Sequence, residues 1–322
     1  AVGKTTYLMA LADRIPGLKF ENMTITHDSM DPQWNHVESE GEQLWRYRNG
    51  FGPTKTIVAV GSASALTFLV KQHRDAETVM YTLADIPGEA FDAKQSKVFS
   101  QQMINEITNK LKVSDSLVLM LNEGYLRSNV QRDAALDGDE QKKIKDPTEI
   151  LTYLSDYLSK PLSVAVVLTA ADKLGDLRQL LGLGFDIRKL DPLVYSGKQN
   201  KYVYNAEMMQ TASTAVADYV DSAFGNFMHN LQENRVPKGS KVSAFVASSG
   251  TQCAFGNEYQ KDTFDQKEAT EHYWKMCEAR FGVEAPLLWL LSRDGLLEQG
   301  RADEFFNGYD EKVQRRILNE IN

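Results

Sequence analysis

Cysteine is almost missing from this chain: Cys253 and Cys277 are the only two in 322 residues. So sparse a set excludes a disulfide scaffold. Neither thiol has a cysteine or histidine partner at zinc-ligand spacing, so two structural thiols in a reducing compartment are expected. The five histidines, His27, His36, His73, His229 and His272, also lack metal-ligand spacing. Long apolar runs are missing too. The longest, residues 285–291, falls well short of the roughly 20 residues that span a bilayer, so no transmembrane segment is predicted. A basic excess is absent: 36 Lys and Arg against 44 Asp and Glu give a net charge of −8, which argues against a nucleic-acid partner. No signal-peptide pattern, internal repeat or low-complexity run is visible, and a cytoplasmic location is expected.

What is present is an alternation of helical and extended patterns. Residues 5–14 carry Leu8, Leu11 and Ala12 at helical spacing. Residues 65–71 and 78–84 are apolar and β-branched with polar residues between, the signature of two paired strands. Residues 95–112 and 147–158 read as helices, and residues 206–234 as one long helix. Residues 117–121 are a continuous apolar run suited to a buried parallel strand, residues 163–168 read as another buried strand, and residues 241–247 as a final strand. Together they predict an α/β fold, a mostly parallel sheet with helices on both faces. The expected organisation is a core over residues 1–250 with insertions at 16–64 and 174–204, the first irregular, and a C-terminal helical extension over 251–322 packed on that core. In such folds ligands bind beyond the C-terminal ends of the strands.

Four segments at those ends carry chemistry. The first is Val2-Gly3-Lys4-Thr5-Thr6 at a helix start. It matches the second half of a phosphate-binding loop, G-x-x-x-x-G-K-[ST], whose first Gly would precede residue 1. Backbone N–H groups and a helix N-terminus would face phosphate oxygens. Lys4 would lie on the β and γ phosphates, and the Thr5 hydroxyl would face Mg²⁺. The second is Asp85-Ile86-Pro87-Gly88-Glu89, directly after an apolar strand. Asp85 stands where a Mg²⁺-associated carboxylate is placed, Gly88 lets its backbone approach the γ-phosphate, and Glu89 would lie beside the attacking water. A plain Pro-Gly turn fits the same residues. The third is Thr169-Ala170-Ala171-Asp172-Lys173. Its carboxylate would accept from the two donors on the guanine edge, which adenine lacks; an Asp capping a helix is the competing reading. The fourth is Ala247-Ser248-Ser249-Gly250, where a backbone N–H would donate to the base carbonyl, or which is simply a Ser-Gly loop. Thr56, with Thr54 as the second choice, is the candidate for the remaining metal contact, against simple turn chemistry after Pro53. The aromatic residues Trp34, Trp45, Tyr47 and Phe51 suit either a small accessory core or a binding surface.

The order of these segments resembles the Ras-like GTPase pattern of phosphate loop, D-x-x-G, N-K-x-D and S-A-x. Residues 84–89, and also the later segment 282–291, are similar to bacterial double-GTPases, relatives of the translation-factor class found in conflict and defence gene neighbourhoods. The resemblance implies a P-loop core of Ras-like type that binds GTP or GDP with Mg²⁺, hydrolyses GTP and acts as a nucleotide-controlled switch toward a protein partner, in a bacterial defence setting. It implies catalytic roles for Lys4, Gly88 and Glu89. Nucleotide contacts would come from Val2, Gly3, Lys4, Thr5, Thr6, Thr169, Asp172, Lys173, Ser248 and Ser249, and metal contacts from Thr5, Thr56 and Asp85. The chain departs from the pattern at two places. Thr169 and Ala170 stand where it has Asn and Lys, which removes the aliphatic stem that covers the base. Glu89 stands where it has Gln, which puts a negative charge beside the γ-phosphate. Two other readings stay open on sequence alone: an interaction module with little or no turnover, and an ATPase of similar fold.

Overall fold

The computed structural model describes residues 4–27, 43–50, 65–74, 77–84, 101–122, 155, 157–169, 171, 193–196, 201–250, 266–298 and 300. In chain order the first half comprises α1 (Lys4–Arg14), β1 (Met23–His27), α2 (Gln43–Arg48), β2 (Ala65–Gln72), β3 (Thr78–Ala84), α3 (Gln101–Val113) and β4 (Ser116–Asn122). The second half comprises β5 (Ser163–Thr169), β6 (Leu193–Ser196), β7 (Lys201–Tyr204), α4 (Ala206–Phe224), α5 (Phe227–Asn230), β8 (Lys241–Val246), α6 (Gln266–Ala279) and α7 (Ala285–Arg293). Among the described residues no helix is long and apolar enough to cross a membrane.

The chain is α/β, and its strands form sheets of both kinds. β4, β5 and β8 make a parallel sheet in the order β4-β5-β8. β1, β2 and β3 make a separate antiparallel sheet, and β6 and β7 a hairpin. The expectation of a mostly parallel sheet therefore holds only for the first of these. The reason is connection length. Residues 73–77 are too few for the crossover that parallel pairing needs, so β2 and β3 can only fold back on each other.

Strict alternation decides what each face of the parallel sheet touches. Val164, Val166 and Leu168 of β5, with Ala244 and Val246 of β8, pack against Ile107 and Leu111 of α3 and Val216 and Val220 of α4. Their neighbours Ala165, Val167 and Phe245 point the other way, into a core built from α1 and α7 and from Met23, Ile25, Leu66, Phe68 and Val70 of the antiparallel sheet. Helices thus cover both faces of the parallel sheet, as its continuous apolar strands require. The edge of β8 is covered as well. The Ala244 backbone N–H donates to Ser213 Oγ of α4 at 3.0 Å, so a helix side chain satisfies an amide that would otherwise be an open sheet edge.

Two expectations need correction, the irregular span 16–64 and the single long helix over 206–234. The span 16–64 is not irregular throughout, since it contains β1, whose Met23 and Ile25 are buried and alternate with exposed Thr24 and Thr26. It also contains α2. The long helix over 206–234 is broken: α4 ends at Gly225 in the left-handed region (φ 63°), and Asn226 comes next at φ 61°. Asp221 explains the break, because its carboxylate accepts the Met228 and His229 backbone N–H groups and so caps the next helix. The span 174–204 contains the β6–β7 hairpin. It docks through the Tyr202 N–H donating to Lys19 O at 2.6 Å. The helix expected over 147–158 lies almost wholly outside the described residues.

Candidate functional site

Helix α1 opens on Lys4 and Thr5, both partly exposed, while Thr6 and every residue from Tyr7 to Ala12 are buried. One end of α1 is therefore presented outward and its body is fixed in the core. Backbone N–H groups in the first turn of a helix have no partner within the helix, which makes this end suited to an anion. One turn in, the Tyr7 hydroxyl donates to Val283 O at 2.8 Å. Burial pushes that hydroxyl far above its usual range, so it remains a neutral donor. The next residue back, Gly282, lies against the end of β8, where a Cβ would meet Val246 O at 2.3 Å. A side chain in the first turns of α1 thus meets the segment that lies against the C-terminal end of β8.

The third and fourth segments meet at that same end. The Thr169 hydroxyl, buried at the tip of β5, donates to Leu121 O of β4 at 3.1 Å. Two residues on, the Ala171 N–H donates to Ala247 O at 3.3 Å, which joins the loop after β5 to the loop after β8. Ser248 is fully buried and committed. Its N–H donates to Phe281 O at 2.9 Å, it accepts from the Phe281 N–H at 3.1 Å, and its hydroxyl accepts the Gly250 N–H at 3.0 Å. Ser249 O accepts from the Tyr47 hydroxyl at 2.9 Å. The loop is closed by Gly250 at φ +77°.

Gly250 cannot be replaced cheaply. A Cβ there would sit 2.0 Å from Met276 O and 2.8 Å from Met276 Cα, contacts with backbone rather than with a movable side chain. Gly250→Ala is expected to lower stability by about 2 kcal/mol, from the left-handed conformation and the clash together. Urea unfolding measures it, and an unchanged midpoint would show that α6 does not press on this loop.

Of the remaining candidates, Val2, Gly3, Thr56, Asp85, Gly88, Glu89, Asp172 and Lys173 lie outside the described residues. Asp85 directly follows the last residue of β3 in sequence, and Asp172 directly follows Ala171. Among the described residues no group of three or more His, Cys, Asp or Glu could hold a metal ion. The partners that sequence reasoning missed are Asp13 and Arg280, while Tyr47 stood there only as one of an aromatic cluster. Asp13, on the buried side of α1, accepts from Arg48 Nε at 2.8 Å, from Arg280 Nη1 at 2.7 Å and from the Tyr273 hydroxyl at 3.3 Å. Arg14 on the same helix pairs with buried Glu284 at 3.2 Å. An acidic residue directly followed by a basic one, at the end of the apolar run from Tyr7 to Ala12, was the available signal.

A family model, Double-GTPase 2, matches residues 1–247. No curated protein and no solved structure matches the chain.

Proposed function

The chain belongs to the Double-GTPase 2 family, of the P-loop class, and from that premise we propose that it binds GTP with Mg²⁺ and hydrolyses it as a nucleotide-controlled switch. The observation that carries the guanine part of this reading is the hydrogen bond from Ala171 N–H to Ala247 O. It holds side by side the two loops to which the chemistry of the sequence gives the base.

In this reading the base lies between those loops, with the Asp172 carboxylate accepting from the guanine edge. Thr169 and Ser248 act on the base indirectly: Thr169 ties β5 to β4, and Ser248 gives the loop its shape, because their described polar groups are engaged within the protein. The phosphates lie at the start of α1. There the Lys4 ammonium stabilises the charge that builds on the transferred phosphoryl group. The hydroxyls of Thr5 and Thr56 and the carboxylate of Asp85 are hard oxygen ligands of the kind Mg²⁺ takes, and the ion, when bound, supplies positive charge to the phosphate oxygens. Glu89 orients water for in-line attack, and the Gly88 N–H meets the γ-phosphate. Loss of that phosphate releases the segments holding Thr56 and Gly88.

The test is competition between GTP and ATP for the purified protein, repeated with Asp172→Asn. The wild type is expected to prefer GTP. The variant should lose roughly tenfold to a hundredfold in GTP affinity, as befits a lost charged hydrogen bond, and gain xanthosine triphosphate, whose edge presents an acceptor where guanine has a donor. Equal binding of ATP and GTP by the wild type would instead support an ATPase of similar fold. Glu89 favours one further reading, because its charge repels the γ-phosphate. Tight GTP binding without phosphate release, with and without cell extract, would identify a nucleotide-dependent interaction module.

A further inference from the structure

The loop after β8 is held from outside the parallel sheet, and one of its holds is a side chain from α2. Tyr47 is fully buried, and its hydroxyl donates to Ser249 O across 202 positions of sequence. At the other end of the same peptide unit, the Gly250 N–H donates to Ser248 Oγ. Both polar atoms of the planar Ser249–Gly250 peptide are thus bonded, which fixes its orientation. The Tyr47 ring stands edge-on to Tyr273 at 6.4 Å. The Arg280 guanidinium lies against the Tyr47 hydroxyl and also donates to Asp13 of α1. Burial pushes the Tyr47 hydroxyl above its ordinary range despite Arg280, so it stays a neutral donor.

We propose that Tyr47 is a positioning residue for recognition of the nucleotide base, holding the loop at Ser249 and tying it through Arg280 and Asp13 to the helix that begins at the phosphates. The inference rests on the nucleotide-binding reading above. A site discriminates between bases when its groups are set before binding. Without the hydroxyl, the Ser249 carbonyl loses this bond and the loop is held less firmly before a nucleotide arrives. The loss then falls on base discrimination rather than on the phosphate contacts. The relay also makes the two ends of the nucleotide site one mechanical unit, because Asp13 and Lys4 belong to the same rigid helix.

Tyr47→Phe keeps the ring and removes only the hydroxyl. Dissociation constants of full-length protein for GTP, ATP and inorganic tripolyphosphate are the readout. The expected result is a fall of about threefold to tenfold in the preference for GTP over ATP, with tripolyphosphate binding unchanged. Tyr273→Phe is the control, since that hydroxyl donates to Asp13 and, among the described residues, has no bond to Ser248, Ser249 or Gly250; it should leave the preference intact. A merely structural role would lower the active fraction or weaken all three ligands alike, and that result would overturn the proposal, as would an unchanged preference in Tyr47→Phe. If Tyr47→Phe does not fold, Arg280→Lys, which keeps the cation beside Asp13 but cannot also reach the Tyr47 hydroxyl, is expected to lower the preference in the same direction, and no change there overturns it. A wild type that binds neither GTP nor ATP removes the underlying reading, and this inference with it.

Discussion

Lys4→Ala is expected to weaken triphosphate binding by about 3 kcal/mol, roughly a hundredfold, the usual scale for truncating one partner of a desolvated charge pair. The effect should grade with phosphate number, being largest for GTP, smaller for GDP and absent for guanosine. It should leave the fold untouched. Lys4 is a partly exposed residue in the first turn of α1, and the buried run from Thr6 to Ala12 is what anchors the helix. Hydrolysis should fall further than affinity, since the ammonium acts most on charge that exists only in the transition state. Calorimetric titration of full-length protein, with circular dichroism as the folding control, gives the result. Equal GTP and GDP affinities for wild type and variant would mean that the start of α1 is not where the phosphates lie.

Asp13→Ala is expected to destabilise the fold more than any other substitution proposed for this protein. Its carboxylate is 6% exposed and the Arg280 side chain it pairs with is 13% exposed, so removing the acid strands a cation in the interior. Breaking a buried pair from one side costs about 3–5 kcal/mol, mostly the penalty for the charge left behind. Arg48, the second partner, is 38% exposed. Water replaces its lost pairing, and Arg48→Ala should cost less than about 1 kcal/mol. The asymmetry is the informative part. Urea unfolding of the two single variants and of Asp13→Ala combined with Arg280→Met would show whether the stranded charge is the cause, because the double variant should recover part of the loss. If Asp13→Ala unfolds at the wild-type urea concentration, the network is a surface feature of little consequence.

The consequence of this network is architectural. Residues 266–300 are bound to several parts of the core. Tyr7 meets Val283, Arg14 meets Glu284, Phe281 pairs with Ser248, Gln72 reaches Gly295 O, and the Gly300 N–H donates to Tyr204 O. The family match ends at residue 247, so the shape of the loop after β8 depends on a segment beyond the matched range.

Legibility differed between elements for physical reasons. β4 and β5 were visible because a strand covered on both faces is apolar on both, which leaves an almost unbroken run in the sequence, and β8 was visible from its run Ala244 to Ala247. α1 and the β2–β3 pair were visible from periodicity. β1 was missed although Met23 and Ile25 alternate correctly, because five residues set among polar neighbours give too short a pattern. The division after α4 was hidden for a related reason: apolar spacing continues through Gly225 and Asn226, and only their left-handed backbone shows the break. Tyr47 stood out as no more than one aromatic among several near it.

What the sequence determined by itself was the family, the order of the four chemical segments and the buried strands that end in two of them, since those are properties of neighbours along the chain. What the tertiary structure decided was which distant residues hold the loop after β8 in place. A hydrogen bond from Tyr47 to Ser249, or an ion pair from Asp13 to Arg280, constrains only two positions far apart and imposes no period on the residues between. Such contacts exist only once the sheet and helices have packed, and they become visible at the same moment.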